Sequence, residues 1–339
     1  MTICPLIKKL SATAGVVAAM FASAPASAYI YSLSHLDIQN LVISVNGASA
    51  VPTSFTFNLT NNASLNGPTV SSSAACNSFG APACSVVSPV LDAAAVNAPG
   101  STAPLRTDES TFLGTGNPNA SYSGADSIID TAALVQGVPT STEQITESLL
   151  NTNGFAAGSS TVQSNTGLLF TFNIGSDNAT LDLTFLADPD QRAEILDLFG
   201  NYLSQSDLSA SFTLSRNSNS GGGSISWSPQ GTPDANDCNV TSFIGASCVE
   251  TADSDDLNFN ASTSVNPGID DNSFEAGVNL TPFGITIRGL SAGNYSLALA
   301  ANTSTSIIRV VPEPATTGLV GAALLGLFLT KRRRDAAKK

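Results

Sequence analysis

Between residues 29 and 310 the chain returns again and again to one pattern, an apolar residue followed by a hydroxyl or amide residue. In SFTFNLT, Phe55, Phe57 and Leu59 point one way and Thr56, Asn58 and Thr60 the other. NATLDLTFLAD does the same with Leu181, Leu183 and Phe185, and DLSASFTLSRN with Leu208, Ala210, Phe212 and Leu214. GNYSLALAAN aligns Tyr295, Leu297 and Leu299. Successive side chains of a strand alternate between faces, so a period of two marks strands with one face buried and one in water. Antiparallel sheets have that habit. LVISV (41–45), GLLFTFNIG (167–175), GITIRGL (284–290) and TSIIRVV (305–311) are further strands, set apart by turn-rich breaks. The expected fold is mainly β, an antiparallel β-sandwich of immunoglobulin-like or jelly-roll type.

One or two short helices are expected on the connections. DPDQRAEILDLFGNYL offers Asp188 as N-cap and Pro189 at the first helical position, with Ile195, Leu198, Phe199 and Tyr202 recurring at three and four. STEQITESLLNTNG pairs Ser141 with Gln144 as a capping box, and Gly154 lies beyond its end. GADSIIDTAALVQG reads equally as helix or strand.

Charge is scarce and lopsided. Residues 29–311 hold no lysine and five arginines against 24 acidic residues, a net of −19. Such a field repels nucleic acid, which is excluded as a partner. The absence of lysine also removes Schiff-base chemistry and any phosphate loop that needs one. His35 is the sole histidine, and no G-x-S-x-G elbow accompanies it, so no catalytic residue is assigned. Acidic pairs such as Asp188/Asp190 are the only material for a glycosidase. In DSDDLNFN and NPGIDDNSFE, Asp253, Asp255, Asp256, Asp270 and Asp271 are hard oxygen donors of the type calcium takes. They fit no EF-hand, and turn chemistry accounts for the same residues. Trp227, the single tryptophan, follows a glycine run and is read either as a core residue or as a stacking face for a sugar.

The two ends differ from this body. Residues 1–28 have Lys8 and Lys9, an apolar stretch, and Ala26-Ser27-Ala28. This is a secretory signal, with cleavage expected between Ala28 and Tyr29 by signal peptidase after passage through the Sec translocon. Export turns the remaining cysteines into disulfide candidates. Cys76, Cys84, Cys238 and Cys248 allow three pairings, of which the local ones, Cys76–Cys84 and Cys238–Cys248, each pin a loop rich in Gly, Pro, Ser and Asn.

At the other end Pro312-Glu313-Pro314 precedes an uncharged run, residues 315–330, and then Lys331, Arg332, Arg333 and Arg334. Sixteen residues make roughly 24 Å of helix, near the span of a bilayer core, with the basic cluster held on the cytoplasmic side. The two prolines keep the preceding strip extended. This tripartite tail, residues 311–339, resembles the PEP-CTERM sorting signal of exported proteins in Gram-negative bacteria. The resemblance implies recognition by an exosortase, an inner-membrane-anchored precursor, and a final place at the cell surface or in the extracellular matrix. It also implies a link to exopolysaccharide and biofilm. The chain thus divides into a signal peptide (1–28), an extracytoplasmic β-rich body (29–310) and a sorting signal. The expected role is non-enzymatic, structural or adhesive. A carbohydrate-binding module, calcium-dependent or not, is the alternative, and a secreted hydrolase the third reading.

Overall fold

The computed structural model describes residues 29–76, 90–97, 121–129, 140–151, 158–196, 201–217, 222–233, 237–243, 245–272, 274 and 279–310. Among them are seventeen strands and no helix. The strands form two sheets in which every pairing is antiparallel. The first sheet centres on β1 (Tyr29–Val45), flanked by β7 (Thr140–Asn151) and β9 (Ala179–Leu196). Beyond β7 lie β6 (Tyr122–Ile129) and β5 (Val90–Asn97). Beyond β9 lie β16 (Thr281–Leu290) and the edge strand β13 (Ser247–Asp253), while β15 (Gly268–Asn272) pairs with the far end of β9. A two-residue strand, β2 (Ala48–Ser49), folds back on β1.

The second sheet centres on β17 (Gly293–Val310), between β8 (Gly158–Ile174) and β10 (Asn201–Arg216). β3 (Ser54–Leu65) and β4 (Thr69–Cys76) extend it on the β8 side. β11 (Ser224–Trp227) and the edge strand β12 (Cys238–Thr241) extend it on the β10 side, with β14 (Asn260–Thr263) beside the same strand.

The alternating apolar residues meet between the sheets. One cluster takes Leu36, Ile38 and Leu183 from the first sheet and Phe57, Phe170, Phe212 and Leu297 from the second. Burying these faces supplies the main favourable free energy. Further along the strands the interior turns polar. Ser34 Oγ donates to the Asp207 carbonyl at 2.8 Å, Ser204 Oγ to the Tyr31 carbonyl at 2.6 Å, and Thr166 Oγ1 to Gln144 Oε1 at 2.9 Å. Small hydroxyl side chains let the sheets approach until side chain meets opposite backbone, which pairs these buried hydroxyls, while Ser206 Oγ and Thr303 Oγ1 have no partner among the described residues. A second apolar cluster, including Ile30, Leu65, Leu150 and Ile307, resumes beyond that band.

In their described residues both expected helices are strands. Residues 187–196 of β9 pair with β1 on one side, and with β16 and β15 in turn on the other. Both faces there are covered, so apolar and polar residues alike are buried and the spacing of Ile195 and Tyr202 carries no helical meaning; Leu198 and Phe199 lie outside the described residues. Pro189 is tolerated because β16 stops opposite Ala187 and β15 starts opposite Gln191, leaving it facing a gap in the ladder. Residues 201–216 form β10, and STEQITESLLN is β7, paired on both sides. The ambiguous GADSII is β6.

Candidate metal centre

β12 ends one sheet and β13 ends the other, and the chain closes this shared edge with three devices. The first is a disulfide between Cys238 and Cys248, with Cα atoms 6.2 Å apart. Cys238 pairs in register with Trp227, and Cys248 with Ile287, both core residues, so both sulfurs face inward. The second is Trp227 itself, from the second sheet, whose Nε1 donates to Glu250 Oε1 on the first. Its ring lies 5.2 Å from Phe212 and 5.7 Å from Phe185, with 1% of its surface exposed. The indole is therefore a core side chain, and the sugar-stacking role considered for it is overturned by its burial.

The third device is a group of carboxylates. One oxygen each of Asp237, Glu250 and Asp253 lie within 4.8 Å of one another. Asp237 immediately precedes Cys238, and Glu250 lies two residues beyond Cys248. A bulge then alters β13: Glu250 opposes Ile285 and Ala252 opposes Gly284, leaving Thr251 as the extra residue. Asp253 consequently opposes Phe283 and shares the inward face with Glu250, which strict alternation forbids for residues three apart. Asp253 is 2% exposed. Its Oδ2 accepts from the Gln230 and Gly231 amides at 3.0 and 2.9 Å, while Oδ1 has no hydrogen-bond partner among the described residues. Burial pushes its pKa up to about 6, with Glu250 and Asp237 adding to the rise against the two amides.

The other sequence-derived oxygen donors do not join this group. Asp255 Oδ1 accepts from the Asp256 amide at 2.8 Å, and Asp256 Oδ1 from the Asn258 amide at 2.7 Å, both ordinary turn capping. Asp270 Oδ2 accepts from the Ser262 amide at 2.7 Å, and Asp271 lies 3.9 Å from Arg192. Asp237 and Glu250 escaped the sequence reading. The cysteines that flank them were the available signal, since a Cys238–Cys248 bridge forces those two neighbourhoods together. Of the other expected pair, Cys76 ends β4 and Cys84 lies outside the described residues, so that pairing does too.

A second titratable cluster covers the outer face of the first sheet. His35 is 4% exposed, with Nδ1 3.2 Å from Asp190 Oδ2 and Nε2 3.1 Å from Glu143 Oε1. Burial alone lowers its pKa; the hydrogen bonds to Asp190 and Glu143 reverse this and raise it to about 9. Both nitrogens thus carry protons at neutral pH, and no lone pair is left for general-base work. Asp37, on the same face, is pushed up to about 6 by burial, against a 2.6 Å hydrogen bond from Gln39. Glu147 accepts from Tyr31 at 2.7 Å, and Glu194 from Tyr29 at 2.7 Å.

The outer face of the second sheet is the opposite in character. Register places Ser54, Thr56, Asn58 and Thr60 of β3 beside Asn165 and Thr171 of β8, Ser296 and Asn302 of β17, and Ser209 to Ser215 of β10. Asp207 is the one charged residue facing outward among the described side chains of these four strands.

β17 runs straight from this face to Val310, and there the comparisons begin. Residues 310–334 match the family model described as the PEP-CTERM protein-sorting motif. The chain carries a PEP-CTERM sorting motif. The motif implies export, a membrane-anchored precursor and processing by an exosortase. It covers Pro312, Glu313, Pro314 and the basic cluster Lys331 to Arg334, and it speaks for the tail and not for the body. Comparison with curated proteins and with solved structures finds no match. Among the described residues no helix is long and apolar enough to cross a membrane; residues 1–28, which include Ala26 and Ala28, and the segments 315–330 and 331–339 lie outside them.

Proposed function

We propose that this is a non-enzymatic surface or extracellular-matrix protein, released to its site by an exosortase, whose β-sandwich body adheres to exopolysaccharide and serves a structural role in a biofilm. The observation that carries the adhesive part is the uncharged outer face of the second sheet. In a body of net charge −19, a face mostly of hydroxyls and amides, with Leu169 and Ile308 also exposed and one acidic residue, is where a neutral polyol can bind without desolvating carboxylates. Hydroxyl and amide groups exchange hydrogen bonds with sugar hydroxyls in either direction. At one end of this face a cavity of about 550 Å³ is lined by Thr53, Thr171, Asn217, Asn294 and Ser296, with Arg216 beside them. Asn294 stands near the start of β17, so at ~3.3 Å per residue the cavity lies roughly 50 Å along that strand from Val310, the last described residue before Pro312 of the sorting motif.

Two experiments test this reading. Intact mass and cell fraction are compared in hosts with and without the exosortase. A species beginning at Tyr29 and ending near Pro312, lost from the surface or medium when the enzyme is deleted, supports sorting; a chain still ending at Lys339 in both hosts overturns it. The full chain is then applied to immobilised neutral and uronic-acid polysaccharides. Retention on the neutral matrix, reduced at least about tenfold by Thr171→Asp with Ser296→Asp, supports the adhesive face. Equal retention of the variant sinks it.

A further inference from the structure

We infer that Asp237, Glu250 and Asp253 bind a calcium ion that clasps the two sheets together at their shared edge, in parallel with the Cys238–Cys248 disulfide. Asp237 borders β12 of the second sheet, while Glu250 and Asp253 belong to β13 of the first. A cation shared by the three carboxylates therefore ties sheet to sheet. The spacing suits it, since oxygens within 4.8 Å of one another share a point that is within a few tenths of an ångström of the 2.3–2.6 Å calcium–oxygen distance. The independent sign of a ligand is Asp253. Its carboxylate is 2% exposed, its Oδ2 is held by two backbone amides, and its Oδ1 has no partner among the described residues. A buried, oriented carboxylate oxygen without a donor is costly unless something meets it.

The donors decide which ion. All are carboxylate oxygens, the two nearest cysteines are locked in a disulfide, and no imidazole is near, so a soft or borderline metal such as zinc finds nothing to prefer. Magnesium demands regular octahedral geometry at a shorter distance, whereas calcium accepts carboxylates in mono- or bidentate form and fills its sphere with carbonyls and water. The ligands are pre-positioned: the disulfide holds Asp237 and Glu250 in one neighbourhood, the Trp227 indole orients Glu250, and the bulge at Thr251 turns Asp253 inward. This clasp does not depend on where the chain is sorted or on any polysaccharide.

The test uses the full chain, stripped with a chelator that is then removed, and calcium chloride as the probe. Isothermal titration is run beside thermal unfolding and Trp227 emission, which reports on one place because the chain has one tryptophan. The expected result is a single site with Kd on the order of 10⁻⁴ to 10⁻³ M, the range of extracellular calcium modules. Tm should rise and emission should change with the same midpoint, and magnesium should be weaker. Asp253→Asn, which keeps size and leaves its one oxygen to accept from the Gln230 and Gly231 amides while an NH2 replaces Oδ1, should weaken binding at least about tenfold, as should Asp237→Asn; Asp270→Asn should leave it unchanged. Absence of heat and of a Tm shift in the wild-type chain at ~10 mM calcium, well above that range, overturns the site. So does an Asp253→Asn or Asp237→Asn chain that folds and titrates like the wild type, because the ion would then sit elsewhere.

Discussion

His35 makes the stability of this protein fall at alkaline pH. Its imidazolium is buried between Asp190 and Glu143, and the same face holds Asp37, Asp188, Glu147 and Arg192. The folded-state pKa of about 9 lies above the ordinary 6.5. A raised histidine pKa means the folded state holds its proton more tightly than the unfolded chain does. The stabilisation is fully present below pH 6.5 and is lost as pH rises through about 9. At 1.36 kcal/mol per pKa unit the difference amounts to roughly 3 kcal/mol. For a domain of this size each kcal/mol moves Tm by ~2–4 °C, so His35 accounts for a fall of roughly 6–12 °C. The assay is thermal and urea unfolding from pH 6 to pH 10, on the wild type and on His35→Gln, which retains a donor and removes the charge. His35→Gln should be the weaker protein at pH 6, because Asp190 loses its cationic partner, and the gap should close by about 3 kcal/mol toward pH 10. A gap that stays constant across this range would refute the argument, since the loss would then owe nothing to the imidazolium.

Three further outcomes are expected. Asp37 is 6% exposed with its pKa raised to about 6, so the wild type loses stability as pH climbs from about 4 through 6; Asp37→Asn should flatten that stretch of the urea-midpoint profile. The Cys238→Ser, Cys248→Ser double variant opens a bridge of sequence separation 10, and loop entropy puts the loss at about 3 kcal/mol, read as a lower urea midpoint. Gly231 has φ near +90°, and a Cβ there would sit 3.3 Å from the Asp256 amide nitrogen. Gly231→Ala should cost about 1–2 kcal/mol with an unchanged m-value.

The strands that face water on one side were legible residue by residue. Phe55, Phe57 and Leu59, or Leu208 to Leu214, point inward as their alternation says, because one buried face imposes a period of two. The strands misread as helices are those whose two faces are both covered. In β9 beyond Ala187, Asp188, Asp190 and Gln191 are as buried as Ile195, so no alternation survives to be read. Pro189 looks like a helix start until β16 and β15 leave a gap for it, and that gap depends on residues about ninety positions away. The candidate centre fails for a related reason. Asp253 was picked out for its acidic neighbours Asp255 and Asp256, but those cap their own turn, while its real companions arrive through a disulfide and a bulge. Local composition finds oxygen donors; only topology gathers them.

The same topology sorts the charge. Asp37, Glu143, Glu147, Asp188, Asp190 and Glu194 sit on the outer face of the first sheet, whereas four strands of the second present one outward acid, Asp207. Exposed charges are screened with a Debye length of about 10 Å at 0.1 M, whereas buried ones are screened much less, so added salt acts little on the first face, where Asp37, Glu147, Asp188, Asp190 and Glu194 are buried. Binding through the hydroxyl face is then nearly independent of ionic strength, while adhesion through bridging cations on exposed carboxylates such as Asp271 weakens as sodium competes. Retention on a neutral polysaccharide measured from about 0.05 to 0.5 M sodium chloride separates the two. A flat profile locates the contact on the second sheet; a steep loss moves it to the carboxylates.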